Sequence, residues 1–346
     1  MNILENIFSF IYKSEKADAM HDRITLFNLI KLNYLNDVAK NLSKENNFIQ
    51  YKKKNIDIRT VPKAKGQLRK IQLANLALLL ELDKVCKANG FRYWLDFGNA
   101  IGAIRHKGFI PWDDDIDVGM LREDYNKLIQ AFEKTSQDSQ IFAGYYRHKQ
   151  QCFIKIQHKD NPNLFVDVFP YDLYEKKLTL EKKKEKNKLI INLRNYIARN
   201  YNKNSTNEEH LKWIHNLQNE KILKNGSEKE DQHPDIFWGL DYPHPYSTWF
   251  FDYETFFPLK NIEYEGYQLP VINKLDTYLN SLFGDFMSYP SLKDMKHKHS
   301  MFAKMTEKEL EVLDFLANSI SKNEERYVKW NSLRVAQYKC TQVQQL

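Results

Sequence analysis

A chain of 346 residues has room for one large domain with additions or for two domains. Hydrophobic residues make up 42% and aromatic residues 14%, enough for a substantial core, and no window approaches the roughly 18 consecutive apolar residues of a membrane span. The net charge of +7 suits an anionic substrate or surface without requiring nucleic acid, and the three cysteines, Cys86, Cys152 and Cys340, form no metal motif and fit a reducing compartment.

Residues 1–62 read as an N-terminal arm. Met1–Tyr12 is too short and too weakly basic for a secretory signal. Ile3, Ile7, Phe8 and Ile11 make it an amphipathic helix that packs on its own domain or, alternatively, lies on a membrane surface. A strand or hairpin arm over 23–32 and a helix over 36–46 follow, and the Lys52–Lys54 run with Pro62 marks a boundary.

From Gly66, apolar residues recur at helical spacing up to Val85, and Asn89-Gly90 is a C-cap composition, so a long amphipathic helix is expected. Phe91–Phe97 reads as a strand, Gly98 as a turn, and Ala100–His106 as a short helix whose N-terminus offers N–H groups to a phosphate. Phe109–Trp112 leads into an aspartate-bearing strand ending near Gly119, followed by a helix over Arg122–Thr135. Strands are expected at Phe142–Tyr146, Cys152–His158 and Leu164–Phe169.

Lys-rich helices over Glu175–Arg199 and Asn207–Leu223 and a polar linker over 225–233 come next. Residues 235–258 are dense in aromatics, most of them core, but Trp238, Tyr242 and Trp249 are candidates for a pocket that binds a quaternary ammonium group by cation–π attraction. A hairpin around Glu265-Gly266, a helix over Leu275–Phe283, a basic loop over 293–299, a capping box at Thr306 and Glu309 that opens a helix to about Ser319, and a last helix over 324–338 complete the chain.

The chemistry concentrates in Asp113, Asp114, Asp115 and Asp117, flanked by apolar runs. Ionised carboxylates beside a buried strand demand a cation. Residues two apart on a strand share a face, which would aim Asp115 and Asp117 at one point. A helix-loop-helix calcium site needs Gly at its sixth position and Glu at its twelfth. Val118 and Asp124 stand there, so that reading is rejected. A magnesium site that also holds phosphate oxygens fits better, with manganese as the alternative. Gly98 permits close backbone approach, and Arg105, His106 and Lys107 bring positive charge just before the acids. Asp167, alone among apolar neighbours from Leu164 to Pro170, reads either as a salt-bridged structural residue or as a third carboxylate on a neighbouring strand.

The stretch Gly98–Gly119, with Val166-Asp-Val-Phe-Pro170, resembles the LicD family of phosphocholine transferases, a broad group that also takes in fukutin and the fukutin-related protein. Phe256–Lys260, Tyr264–Tyr267 and the run from Tyr278 to Phe286 look like that family's C-terminal signature. The turn departs from the family's Gly-Gly-Thr by reading Phe97-Gly98-Asn99, which bears on how the donor's phosphates fit.

The resemblance implies an α+β fold with a nucleotidyltransferase-like mixed sheet flanked by helices and a helical, aromatic-rich C-terminal extension. The expected divisions are 1–62, a catalytic core over 63–175, a Lys-rich insertion over 176–233, and a C-terminal part over 234–346 that completes the pocket. It further implies transfer of phosphocholine from CDP-choline to a glycan or glycolipid hydroxyl, in the cytoplasm or at the inner membrane face. Asp115 and Asp117 would then hold Mg²⁺ across the donor diphosphate, with Asp167 completing the site and serving as general base. Asp113 and Asp114 would support them from behind. Gly98, Asn99, Arg105, His106, Lys107 and, less directly, Lys155 would face phosphate. A nucleotidyltransferase releasing pyrophosphate, a metal-dependent glycosyltransferase and a non-catalytic metal- or glycan-binding module are the rival readings.

Overall fold

The computed structural model describes residues 57–175, 177–223, 234–242, 250–291 and 305–321, with Asn47 and Met295. Residues 58–288 and 305–321 belong to one compact unit, and the description below is confined to it. The expectations for residues 1–56 apart from Asn47, the polar linker over 225–233, Trp249, the basic loop over 293–299 apart from Met295, the helix over 324–338 and Cys340 lie outside the described residues.

The long helix forms where the apolar spacing places it. Helix α1 (Gly66–Asn89) ends on Gly90, whose φ of 69° is the left-handed conformation that glycine adopts without steric cost. Its apolar face, including Ile71, Leu78, Leu79 and Leu82, is buried against the sheet. Strand β1 (Tyr93–Leu95) is shorter than expected, because Asp96 caps helix α2 (Phe97–His106) three residues ahead of the expected start. Strand β2 (Asp117–Leu121), helix α3 (Arg122–Thr135) and strands β3 (Ile141–His148), β4 (Gln151–His158) and β5 (Asn161–Tyr174) follow.

The sheet runs β1-β2-β5-β4-β3, with β3 at its edge. Only the β2–β5 pair is parallel among the described pairings. The far end of β5 pairs with β6 (Asp235–Trp238), which in turn pairs with β7 (Phe250–Asp252). The sheet thus runs past residue 175, the expected limit of the core. The Lys-rich helices α4 (Leu180–Asn200) and α5 (Asn207–Gln218) bury Ile190, Leu193, Ile197 and Ile214 in the same core. Short helix α6 (Tyr253–Phe256), hairpin β8 (Lys260–Tyr264) and β9 (Tyr267–Val271), helix α7 (Leu275–Phe283) and helix α8 (Glu307–Ser321) complete the unit, α8 lying on α1.

Strand alternation divides the sheet. Val118, Val168, Ile154 and Ile156 are fully buried on the helix side, where the Tyr125 hydroxyl of α3 accepts from the Ile154 N–H at 2.9 Å. Asp117, Asp167 and Lys155 face the other way. This is a mixed α+β fold, and no helix among the described residues is long and apolar enough to cross a membrane.

Candidate active site

One row of residues crosses four strands. Asp117 on β2 stands opposite Asp167 on β5, Asp167 opposite Lys155 on β4, and Lys155 opposite Gly144 on β3. Lys155 Nζ lies 2.7 Å from Asp167 Oδ1, and both side chains are largely withdrawn from water. The same ammonium sits 3.4 Å from the Phe165 ring centroid and 4.6 Å from that of Tyr146, so π-faces share in its solvation. Asp167 is therefore salt-bridged and also the register partner of Asp117, and the two readings of it meet in one residue.

The aspartate segment before β2 is a loop held from two sides, not an early strand. From α1, Gln72 Nε2 donates to the Asp113 carbonyl at 2.8 Å and Asn75 Nδ2 to the Asp114 carbonyl at 2.9 Å. From α2, Asn99 Nδ2 donates to the Asp115 carbonyl at 3.2 Å, while Asn99 Oδ1 accepts the Asp117 N–H at 2.6 Å. Such backbone clamping replaces the ladder pairing that a strand would supply. The result gathers carboxylate oxygens of Asp113, Asp114 and Asp115 within 4.8 Å of one another. Oxygen-only ligands of this kind suit a hard divalent cation, and the residues present fit magnesium. Asp113 and Asp114, expected behind the ligands, form a closer group with Asp115 than Asp117 and Asp167 do.

Gly98 lets the start of α2 approach the acids closely, since a Cβ built there would lie 2.7 Å from Asp113 Oδ2. Phe97 beside it has φ of 41°, unusual for a residue with a side chain. The N-terminus of α2 is closed by Asp96, which accepts the Phe97 N–H at 2.8 Å and the Tyr278 hydroxyl at 2.6 Å. Burial pushes the Asp96 carboxyl up to about 6, against the pull of Tyr171, Tyr278 and the Phe97 N–H.

The residues expected to face phosphate separate. Asn99 spends its amide on the backbone of Asp115 and Asp117 and on the Tyr264 hydroxyl, because the amide both donates and accepts where a positioned backbone does the same. Arg105 is buried: it donates to the Phe286 carbonyl at 2.9 Å and lies over Trp112. His106 packs edge-on to Trp112, and burial with the Arg105 charge holds its imidazole down at about 4. Lys107 is exposed and pairs with Glu263 at 3.3 Å. In the last turn of α2, Arg105 and His106 thus pack on Trp112, and Lys107 beyond it pairs with Glu263 at the surface.

Of the aromatic candidates, Trp238 is core. It is 1% exposed and stacks on Phe97 with ring centroids 5.8 Å apart. Tyr242 stays with the site. Its ring lies 4.3 Å from Phe169, and burial, with the charges of Asp117, Asp167 and Asp115, pushes its phenol well above its ordinary value. The Tyr242 phenol therefore lies in the field of three aspartates that are separated in the sequence.

Several residues of the site were not singled out in the sequence. Asp241, next to Tyr242, is held in place: Arg122 forks onto both Asp172 and Asp241, at 2.8 and 2.7 Å, and His215 reaches Asp241 at 3.1 Å. Burial alone would raise the Asp241 carboxyl, but Arg122 and His215 hold it well below the usual range. Glu265, at the turn of the β8–β9 hairpin, accepts from Arg69 at 2.7 Å, Lys63 at 2.6 Å and the Phe109 N–H at 3.1 Å, tying the hairpin to the start of the aspartate loop. A polar residue on a buried helix face was the available signal for Gln72 and Asn75.

Residues 90–196, which hold every element of the row, match the family described as LicD/FKTN/FKRP, nucleotidyltransferase domain. The chain therefore carries a LicD-family domain and is an enzyme of that phosphotransferase class. It is similar to the lipopolysaccharide cholinephosphotransferase LicD of Haemophilus influenzae, 29% identical over 255 residues, covering 67% of this chain and 96% of that protein. It is also similar to the ribitol 5-phosphate transferase FKRP of Mus musculus, 35% identical over 89 residues, which cover 25% of this chain and 18% of that protein. The human FKRP is 34% identical over a stretch of the same length.

Proposed function

We propose that this chain transfers a phospho-alcohol to a hydroxyl of a cell-surface glycan, and that the donor is CDP-choline, with CMP released. The observation that carries the reading is the parallel register of Asp117 and Asp167, beside the gathered carboxylates of residues 113–115, within a LicD-family domain. The two transferases it resembles act, by their names, on phosphocholine with lipopolysaccharide and on ribitol 5-phosphate.

Phosphoryl transfer needs positioning and charge neutralisation more than covalent help. Asp115, Asp117 and Asp167, with Asp113 and Asp114 behind them, would hold magnesium, or manganese as the alternative, and the ion would supply positive charge to the donor diphosphate. Asp167 takes the proton of the attacking hydroxyl as its oxygen bonds to phosphorus. The bond from phosphorus to the CMP oxygen breaks, and CMP leaves with its electron pair. Lys155 holds Asp167 in place and adds charge at the phosphate side. Tyr242, within the field of the carboxylates, keeps its phenolic proton and can donate it in a hydrogen bond to a phosphate oxygen. The reading places the enzyme in the cytoplasm, at the membrane face when its acceptor is a glycolipid, with no nucleic acid partner.

The experiment is a screen of CDP-choline, CDP-ethanolamine, CDP-glycerol and CDP-ribitol with Mg²⁺, scoring CMP release. Release from a CDP-alcohol supports the reading and names the alcohol. Pyrophosphate release from CTP, with every CDP-alcohol untouched, would replace it with nucleotidyl transfer.

A further inference from the structure

The sheet face that bears Asp117 and Asp167 continues outward to the edge strand. On one side of the Asp117–Asp167–Lys155–Gly144 row, the register sets Phe165 opposite Gln157 and Gln157 opposite Phe142. On the other side Tyr146 stands opposite Phe153, whose ring lies 5.0 Å from that of Phe169. The inner rings, Phe165, Phe153 and Phe169, are buried, but Phe142 and Tyr146 at the edge are 38% and 40% exposed. The Phe142 ring leans over Gly144, where a Cβ would come within 3.3 Å of it. The carboxylates therefore open onto a shelf with aromatic walls and a glycine in its floor.

The chemistry of the shelf selects its occupant. An ammonium, Lys155 Nζ, already stands over Phe165 and beside Tyr146, so a second cation such as a choline group would meet like charge. The buried Lys155–Asp167 pair in its floor is a poor surface for a lipid chain. A sugar ring fits: its C–H face lies on the electron-rich face of an aromatic ring, and its hydroxyls meet the ion pair as donors and acceptors. The distance from Gly144 to Asp167 is two strand spacings, roughly 10 Å, within reach of a short oligosaccharide.

We propose that Phe142 and Tyr146, with Lys155 behind them, form the saccharide acceptor subsite, so that the acceptor reaches Asp167 from the β4 side, opposite Asp117. The proposal rests on the transferase reading above and assigns that reading its acceptor side. Donor and acceptor then approach along one strand row from opposite ends, which is the arrangement an in-line displacement needs.

The test is saturation-transfer NMR on the full chain with the methyl glycosides of glucose, galactose and N-acetylglucosamine as probes. The native chain is expected to transfer saturation to the ring protons of at least one of them. Tyr146→Ala and Phe142→Ala should each weaken the effect about tenfold, as for one lost aromatic contact. Tyr146→Phe, which keeps the ring, should retain it. Tyr146→Leu keeps apolar bulk without the ring and should behave as the alanine variant does, which covers an alanine variant that folds poorly. Undiminished transfer in the alanine and leucine variants would overturn the proposal. So would no transfer to any sugar, including the case in which phospholipid vesicles or a second copy of the chain cover the shelf. The measurement needs no donor. Failure of every CDP-alcohol to release CMP would sink the transferase reading and leave this sugar signal to be judged alone.

Discussion

Asp117 and Asp167, fifty residues apart in the chain, are direct neighbours across the parallel β2–β5 pair. A parallel pair requires a crossover, here made by α3 and the β3–β4 hairpin. That crossover lays Lys155 against Asp167 on its other side. The relationship sets two carboxylates side by side with one ammonium next to them.

Asn99 is expected to act through the aspartate backbone. Replacing it with alanine removes the amide from Asp115, Asp117 and Tyr264, leaving buried groups unpaired at a cost of about 1–3 kcal/mol. CMP release should fall by one to two orders of magnitude, with the loss in kcat and donor KM little changed, roughly as for a 1 Å misplacement of reacting groups. Steady-state kinetics check this. A rise in donor KM alone would assign Asn99 to phosphate contact instead.

Two glycines should behave differently. Alanine at Gly98 pushes on the Asp113 carboxylate, the end of a side chain that can swing away, so stability should hold while activity drops. Alanine at Gly119 overlaps the indole of Trp94, which is fully buried and cannot yield, so unfolding free energy should fall by about 1–3 kcal/mol. Urea denaturation and CMP release measured together separate the two cases.

Much of this was legible in the sequence. Helices α1, α3 and α7 lie where apolar spacing and end signals placed them, because each signal is local. The capping box holds too, with the Thr306 N–H 2.7 Å from Glu309 Oε2. The aspartate segment was misjudged as strand because its conformation is set by Gln72, Asn75 and Asn99, contacts between residues distant in sequence. Arg105 looked like a phosphate ligand from its neighbours in the chain. Only the fold shows that the carbonyl of Phe286 claims it. Likewise nothing local in the chain announces that Arg122 will gather Asp172 and Asp241.

Asp96 should give stability a slope with pH. Its folded value of about 6 lies above the ordinary 3.8, so the folded chain holds that proton more tightly than the unfolded chain does. Its contribution is therefore largest below the unfolded value and shrinks as pH rises through about 4 to 6, by up to roughly 3 kcal/mol. Asp96→Asn should remove that slope. Denaturation at pH 4, 5, 6 and 7 of both proteins checks it, and identical curves would contradict it.

On the proposed reading, Lys155 would compete with a divalent cation for Asp167. Lys155→Met should cost about 3 kcal/mol without metal, as expected when a buried pair loses one partner. Added Mg²⁺ should restore part of that loss, because a ligand that binds only the folded form stabilises it. Thermal unfolding with and without Mg²⁺ reads both effects. A variant as stable as the native chain, or indifferent to Mg²⁺, would contradict the account.

The most direct measurement compares the rate of CMP release from the preferred CDP-alcohol, with Mg²⁺, in the native chain and in Asp117→Asn and Asp167→Asn. Both substitutions keep side-chain size, and each variant is first shown by circular dichroism to be folded. The paired carboxylates as catalytic centre predict a loss of at least about 100-fold in each. A folded variant of either kind that releases CMP at the native rate would contradict it.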